Sequence, residues 1–199
     1  MLKARIAVLV SGGGTNLQAL LDARGAVLQS GDIVLVVSNN PDAYALTRAE
    51  KAGVETAVVR RKDGAFEERL ASLLEEKKID LIVLAGFMTI LSAAFTARFA
   101  GRIINVHPSL IPSFCGQGYY GLRVHEEALA YGVKVTGATV HLVNEIPDGG
   151  RILLQKAVDV QDGDTPEVLQ RRVMEQAEWI LLPQAAEMMS REIIGREKQ

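Results

Sequence analysis

The chain has 199 residues, 48% of them apolar and 23% charged, and 22 Lys and Arg against 24 Asp and Glu give a formal charge of -2. This is the profile of one folded domain with a sizeable core, and it excludes a disordered or low-complexity chain. No basic block supplies an electrostatic footprint for nucleic acid, no apolar run reaches membrane-spanning length, and the short apolar stretch before Ser11 is too brief for an export signal.

Cys115 is the only cysteine, which rules out an internal disulfide or a cysteine zinc cluster and fits a reducing cytoplasm. Residues 5–10 are short, apolar and β-branched and predict a buried strand, closed by Ser11-Gly12-Gly13-Gly14. Thr15 and Gln18 have the spacing of a capping box, and Leu17, Leu20 and Leu21 supply an apolar face. A helix is therefore predicted from Thr15 to about Gln29. A glycine turn then feeds a helix N-terminus, where unpaired N–H groups and the helix dipole favour an anion and residues without Cβ let it approach.

Further strands are predicted over 33–37, 54–59 and 81–85, with helices over 44–52 and 66–78, the second turning Leu70, Leu73 and Leu74 inward. Repeated alternation of strand and helix implies an α/β, Rossmann-like fold: a mostly parallel sheet with helices on both faces. Its ligand crevice lies beyond the carboxyl ends of the strands, where Ser11 to Thr15 and Gly86 to Thr89 are found. A short helix over 90–99, a fifth strand over 103–106 and a helix over 124–131 follow. The glycine- and aromatic-rich loop 112–121 is too long for a simple connection and reads as a lid. Strands over 133–143 and 152–160, joined by residues 144–150, predict an antiparallel edge in the C-terminal half. Asp164-Thr165-Pro166-Glu167 starts the last long helix, interrupted at Pro183, and residues 195–199 form a polar, frayed tail. No composition shift marks a linker, so residues 1–199 read as a single domain.

The glycine turn is G-x-G-x-x-Leu17, and the second strand ends in Asn39-Asn40 rather than an acidic residue, which disfavours a nicotinamide cofactor. Without a G-K-[ST] sequence there is no P-loop either. Two readings remain: a phosphate monoester at Gly13, Gly14, Thr15 and Asn16, or a purely structural turn. Asn105 and His107 sit two residues apart at a strand end and so project to the same side. One cleft can then hold an amide donor and a titratable imidazole, against the plainer reading of a strand cap and a satisfied core histidine. His125, within the polar Arg123-Val124-His125-Glu126-Glu127, reads as solvated. His141 shares a strand face with Thr139 and Val143, and structural and functional readings both stand. Asp148, in Pro147-Asp148-Gly149-Gly150, has the form of a turn aspartate. His107, His141 and Asp148 lack the spacing of a metal motif, and no metal is expected.

Taken together, Ser11 to Leu17, Ala85 to Met88, Asn105 to Leu110, and Gly137 to His141 followed by Asp148-Gly149-Gly150 closely resemble the phosphoribosylglycinamide formyltransferases. These are folate-dependent enzymes of purine biosynthesis, and the resemblance runs in order over nearly the whole chain. It implies transfer of the formyl group of 10-formyltetrahydrofolate to the primary amine of glycinamide ribonucleotide. Gly13, Gly14, Thr15 and Asn16 would hold the substrate phosphate and Glu178 the ribose. Lys62, Met88, Thr89, Ile90, Leu91, Asn105, Val143 and Asn144 would line the folate site. Asn105, His107 and Asp148 match the catalytic trio, with Ser109, Thr139 and His141 in support. The phosphate-binding half would then span about residues 1–100 and the catalytic and folate-binding half about 101–199.

In this scheme the amine attacks the formyl carbon and the resulting oxyanion is held by Asn105 and a protonated His107, each such donor being worth about 3–4 kcal/mol. Asp148 would raise the His107 pKa and help relay the amine's proton to the departing nitrogen. The partners implied are two small molecules, with no nucleic acid and no membrane, in a cytoplasmic monomer or homodimer. The chain departs from the family pattern at Thr89, where an arginine often follows Phe87-Met88, and near Lys62, where the usual arginine is missing. Loop 114–120 is longer, and 173–178 carries one extra residue. Rival readings are a hydrolase of the same superfamily that releases formate, transfer to initiator tRNA, which needs an RNA-binding domain and a basic surface, and a phosphoribosyl-ligand binding module without turnover.

Overall fold

The computed structural model describes residues 3–196, so positions 197–199 of the predicted tail lie outside the described residues. Strands β1 (Ala4–Val10), β2 (Gly31–Ser38), β3 (Glu55–Val58), β4 (Leu81–Leu84), β5 (Ile103–His107), β6 (Val135–Leu142) and β7 (Ile152–Asp159) form one sheet in the order β3-β2-β1-β4-β5-β6-β7. Pairing is parallel from β3 through β5 and antiparallel for β6–β7, as the sequence predicts, and also antiparallel for β5–β6. The chain winds outward from β1 to β3 and then crosses to β4 on the other side of β1. That reversal opens a crevice between the β1 and β4 carboxyl ends.

The strand period of two divides the core. Ile6, Val8 and Val10 of β1 face one cluster, with α1 (Thr15–Asp22), α2 (Tyr44–Lys51), α6 (Pro166–Val173) and α7 (Trp179–Arg196). Ala7 and Leu9 face the other, with α3 (Phe66–Glu76) and α4 (Ala93–Arg98). Both faces of β1 are therefore sealed, and each fully buried Leu or Val contributes about 1.5–3 kcal/mol. A further helix, α5 (Leu122–Tyr131), follows the long loop after β5.

Four local departures from the sequence expectations shape the site. Helix α1 stops at Asp22, seven residues short of Gln29, where the chain turns through Gly25 at φ 76°. Thr15 is not a cap: Gly14 takes that place in a left-handed conformation (φ 73°) with no side-chain hydrogen bond, and Gln18 instead bonds Asp22 and Arg48. The cause is α2, whose Ala45 N–H donates to the Gly12 carbonyl at 3.0 Å and whose packing would put a Cβ on Gly14 2.6 Å from the Ala45 Cβ. Helix α4 starts at Ala93, because the Ser92 hydroxyl caps it by accepting from the Phe95 N–H at 3.1 Å. Ile90 and Leu91 consequently stay in the crevice loop. The last helical region is not interrupted at Pro183. It widens upstream into a π turn, Met174–Glu178, which takes up one residue more than an α turn, turns Ala177 and Glu178 inward and continues through Pro183.

Candidate active site

Strand β5 delivers the half-buried Asn105 and the buried His107 to the same side of its carboxyl end. The antiparallel register sets His141 of β6 directly opposite Asn105. The turn after β6 brings in Asp148, itself left-handed at φ 56°, a conformation aspartate tolerates better than most side chains. Gly150 is required next to it, since a Cβ there would lie 1.7 Å from the Leu142 carbonyl oxygen. The Asp148 carboxylate spans two imidazoles, with Oδ2 3.5 Å from His107 Nδ1 and Oδ1 3.5 Å from His141 Nε2, and Oδ2 also accepts the Gly116 N–H at 2.8 Å.

Partners settle the tautomers. His107 Nε2 lies 2.8 Å from the Phe114 carbonyl and His141 Nδ1 lies 2.8 Å from the Leu142 carbonyl, so both of these nitrogens carry hydrogen. His141 Nε2 then accepts from Asn105 Nδ2 at 3.3 Å. Ser109 and Thr139 brace this group from below: the Thr139 hydroxyl donates to the Ser109 carbonyl at 2.7 Å and accepts from the Ile111 N–H at 3.1 Å. Burial pushes the Asp148 carboxyl up, but the two imidazoles beside it, His141 first, and the Gly116 N–H outweigh it and hold the carboxyl below its usual range. His107 corrects an expectation. Burial lowers its pKa by more than Asp148 and the Phe114 carbonyl raise it, so Asp148 does not lift the ring above its ordinary value as expected.

These residues border a cavity of about 630 Å³ that runs from Leu84 and Leu91, past Asn105 and His107, to Asn16, Gln170, Met174 and Glu178. At the far end Asn16 Nδ2 donates to Glu178 Oε2 at 2.7 Å, and burial pushes the Glu178 carboxyl up to about 7. His125, expected in solvent, is fully buried on the cavity wall, with neither ring nitrogen paired and its pKa pushed down to about 4 by burial.

Residues 4–185 match the family model described as formyl transferase. The chain belongs to the formyl transferase family. It is 44% identical over 180 residues to the phosphoribosylglycinamide formyltransferase of Haemophilus influenzae, covering 86% of this chain and 81% of that protein. It is 45% identical over 192 residues to the trifunctional purine biosynthetic protein adenosine-3 of Bos taurus, covering 94% of this chain but only 18% of that larger protein. A solved structure, glycinamide ribonucleotide transformylase 1 from Symbiobacterium toebii, superposes with a TM-score of 0.88 at 40% identity, over 96% of this chain and 89% of that one.

Within this formyl transferase, Met88, Thr89, Ile90, Leu91, Val143 and Asn144 all line the cavity, whereas Lys62 sits exposed on a 3-10 turn, outside its wall. Thr89 is buried and its hydroxyl accepts from Asn39 Nδ2 at 2.8 Å. Of the glycine-turn set only Asn16 reaches the cavity wall. Gly13, Gly14 and Thr15 lie outside its lining, and Arg48 Nε donates to the Gly13 carbonyl at 2.8 Å. Sequence reasoning missed His125 and Gln170. His125, Ala128 and Leu129 share the i, i+3, i+4 spacing of an inward helix face, a signal outvoted by the charges around it. Among the described residues no group of His, Cys, Asp and Glu is arranged to hold a metal, and no helix is long and apolar enough to cross a membrane.

Proposed function

We propose that the chain transfers the formyl group of 10-formyltetrahydrofolate to the amine of glycinamide ribonucleotide. The observation that carries this reading is the single cavity that joins the Asn105–His107–Asp148 group to Asn16 and Glu178. An acyl-transfer centre and a polar recognition end share one space. The folate lies against Met88 to Leu91, Val143 and Asn144, and the phosphate caps the rim at Gly13 to Asn16. There the α1 N–H groups have no side-chain cap to compete with an anion. Glu178 accepts from the ribose hydroxyls.

The neutral amine attacks the formyl carbon, and the formyl oxygen gains negative charge. Asn105 Nδ2 and His107 Nε2 are the donors for it, the oxygen taking over the place the Phe114 carbonyl fills on His107. The lowered His107 pKa has a use here. Burial makes an imidazolium costly in the free site, where Asp148 is its only counter-charge. An oxyanion on the opposite nitrogen supplies a second, so the proton is best held when the transition state forms, which is where stabilisation accelerates a reaction. The proton that the attacking nitrogen sheds on forming its bond to the formyl carbon is held by the His107–Asp148 pair and returned to the folate nitrogen as its bond to that carbon breaks, so no net proton is gained or lost.

The test is a formyl-transfer assay with 10-formyltetrahydrofolate, with and without glycinamide ribonucleotide. Formylated ribonucleotide is expected, with formate release negligible when the amine is absent. Amine-independent formate release at the same rate would make the chain a hydrolase.

A further inference from the structure

The function proposed above gives the long loop after β5 no ligand of its own, yet residues 116–121 all belong to the cavity lining. Two backbone groups fix where the loop sits. The Phe114 carbonyl accepts from His107 Nε2 and the Gly116 N–H donates to Asp148 Oδ2, both at 2.8 Å. The residues just beyond Gly116 are therefore held beside the reacting groups.

The two tyrosines of this loop differ. Tyr119 is half-buried, its ring 6.5 Å from that of Phe114 and 5.8 Å from the Arg123 guanidinium, and Phe114 in turn meets Tyr131 edge-on. Tyr120 is 60% exposed, and among the described residues its ring pairs with no aromatic ring or cation. Three other large apolar side chains in the cavity lining are also exposed, Met88 at 55%, Ile90 at 70% and Ile146 at 58%. With Tyr120 they make the mouth of the cavity apolar, whereas the buried Leu84, Leu91 and Val106 line its closed part. Apolar side chains gathered at the opening of a cavity fit a ligand that covers them. Met88 and Ile90 are already given to the folate, and Tyr120 joins them from a loop anchored at His107 and Asp148.

Resting on the function proposed above, we infer that Tyr120 binds the formyl donor, its ring packing against the aminobenzoyl group. The folate nitrogen that carries the formyl carbon also carries that group, so a formyl carbon set at Asn105 and His107 puts the aminobenzoyl ring next to the reacting groups. The pterin fills the closed part and the aminobenzoyl ring leads outward past Tyr120. Pairing of two flat rings there adds to what burial alone contributes.

The experiment compares wild type, Tyr120→Ala and Tyr120→Phe by thermal melting and steady-state kinetics. Tyr120→Ala is expected to melt within about 2 °C of wild type, as for an exposed side chain. Its KM for 10-formyltetrahydrofolate should rise about 10-fold while the KM for glycinamide ribonucleotide stays within about twofold of wild type. Tyr120→Phe keeps the ring and should match wild type in both. A folded Tyr120→Ala with an unchanged folate KM overturns the assignment, and so does a fall in kcat alone, which would mean that the substitution only disturbs the loop. Inhibition by two products locates the contact: tetrahydrofolate should bind Tyr120→Ala about 10-fold more weakly, and 6-methyltetrahydropterin, which lacks the aminobenzoyl group, should bind it as it binds wild type. Equal losses for both would place the ring against the pterin and overturn the assignment. A wild type that neither transfers the formyl group nor binds tetrahydrofolate overturns the function reading and this assignment with it, whereas an active wild type beside an equally active Tyr120→Ala overturns this assignment alone.

Discussion

The two ends of the cavity are built on opposite principles. At the reaction end His107 Nε2, both His141 nitrogens and the Asp148 carboxylate each have a hydrogen-bond partner in the protein, and Asp148 lies 3.5 Å from both rings. At the recognition end Asn16 Oδ1 is unpaired and Glu178 is buried with one bond to Asn16. Saturated groups are already oriented when substrate arrives, which is what stabilising a transition state requires. Unsaturated buried groups raise the energy of the free protein and lower that of the complex, which favours binding a matched ligand over an apolar one. The contrast teaches that orientation and recognition are separate stores of free energy within one space.

The largest expected effect breaks the first end only. Asp148→Asn should lower kcat about 10²- to 10³-fold while leaving the dissociation constant for glycinamide ribonucleotide within about twofold of wild type, read by calorimetric titration. A collapse of affinity with surviving turnover of bound substrate would reverse the roles given to the two ends.

Glu178→Gln sharpens the second. Because burial raises the Glu178 pKa from 4.5 to about 7, the folded protein binds the proton more tightly than the unfolded chain does. Stability contributed by this group is therefore present below pH 4.5, falls as the pH rises through 7 and stays low above it. Glutamine abolishes the penalty, so the variant should gain up to about 3 kcal/mol at pH 8, with the gain shrinking toward pH 5, while the KM for the ribonucleotide rises. Denaturant titrations of both proteins at pH 5 and pH 8 check this; parallel pH dependences would mean that the carboxyl is not buried in the way described.

A smaller change tests the rim. Gly14→Ala at φ 73° forces its Cβ against Ala45, and a cost of about 1–3 kcal/mol in stability is expected, with weaker ribonucleotide binding and kcat on bound substrate little altered. Smallest of all is Lys62→Ala. Lys62 lies outside the cavity wall, so the KM for a monoglutamyl folate should change by less than about twofold, within the range typical of surface substitutions.

Much of this arrangement is legible in the chain. The five parallel strands, the antiparallel edge and the shared side of Asn105 and His107 follow from apolar runs, glycine punctuation and the strand period of two, all of which act over a few residues. The same local rules misjudge Thr15 and His125. The capping box at Thr15 fails because α2, 30 residues on, presses Ala45 against Gly14 and turns the backbone left-handed. His125 has the neighbours of a surface residue in sequence, but α5 packs that face onto α6 and the cavity.

The sequence by itself determined the elements, their alternation and which side chains could do acyl-transfer chemistry, because propensity and periodicity are properties of neighbours along the chain. Only the tertiary structure decided that Asp148 lies between two imidazoles, that burial outweighs that carboxylate at His107, and that His125 is left unpaired. Desolvation and hydrogen-bond pairing depend on what surrounds a group in space. For these residues the surroundings come from β5, β6, the long loop and α5, brought together by the β5–β6 pairing and the loop that closes over it.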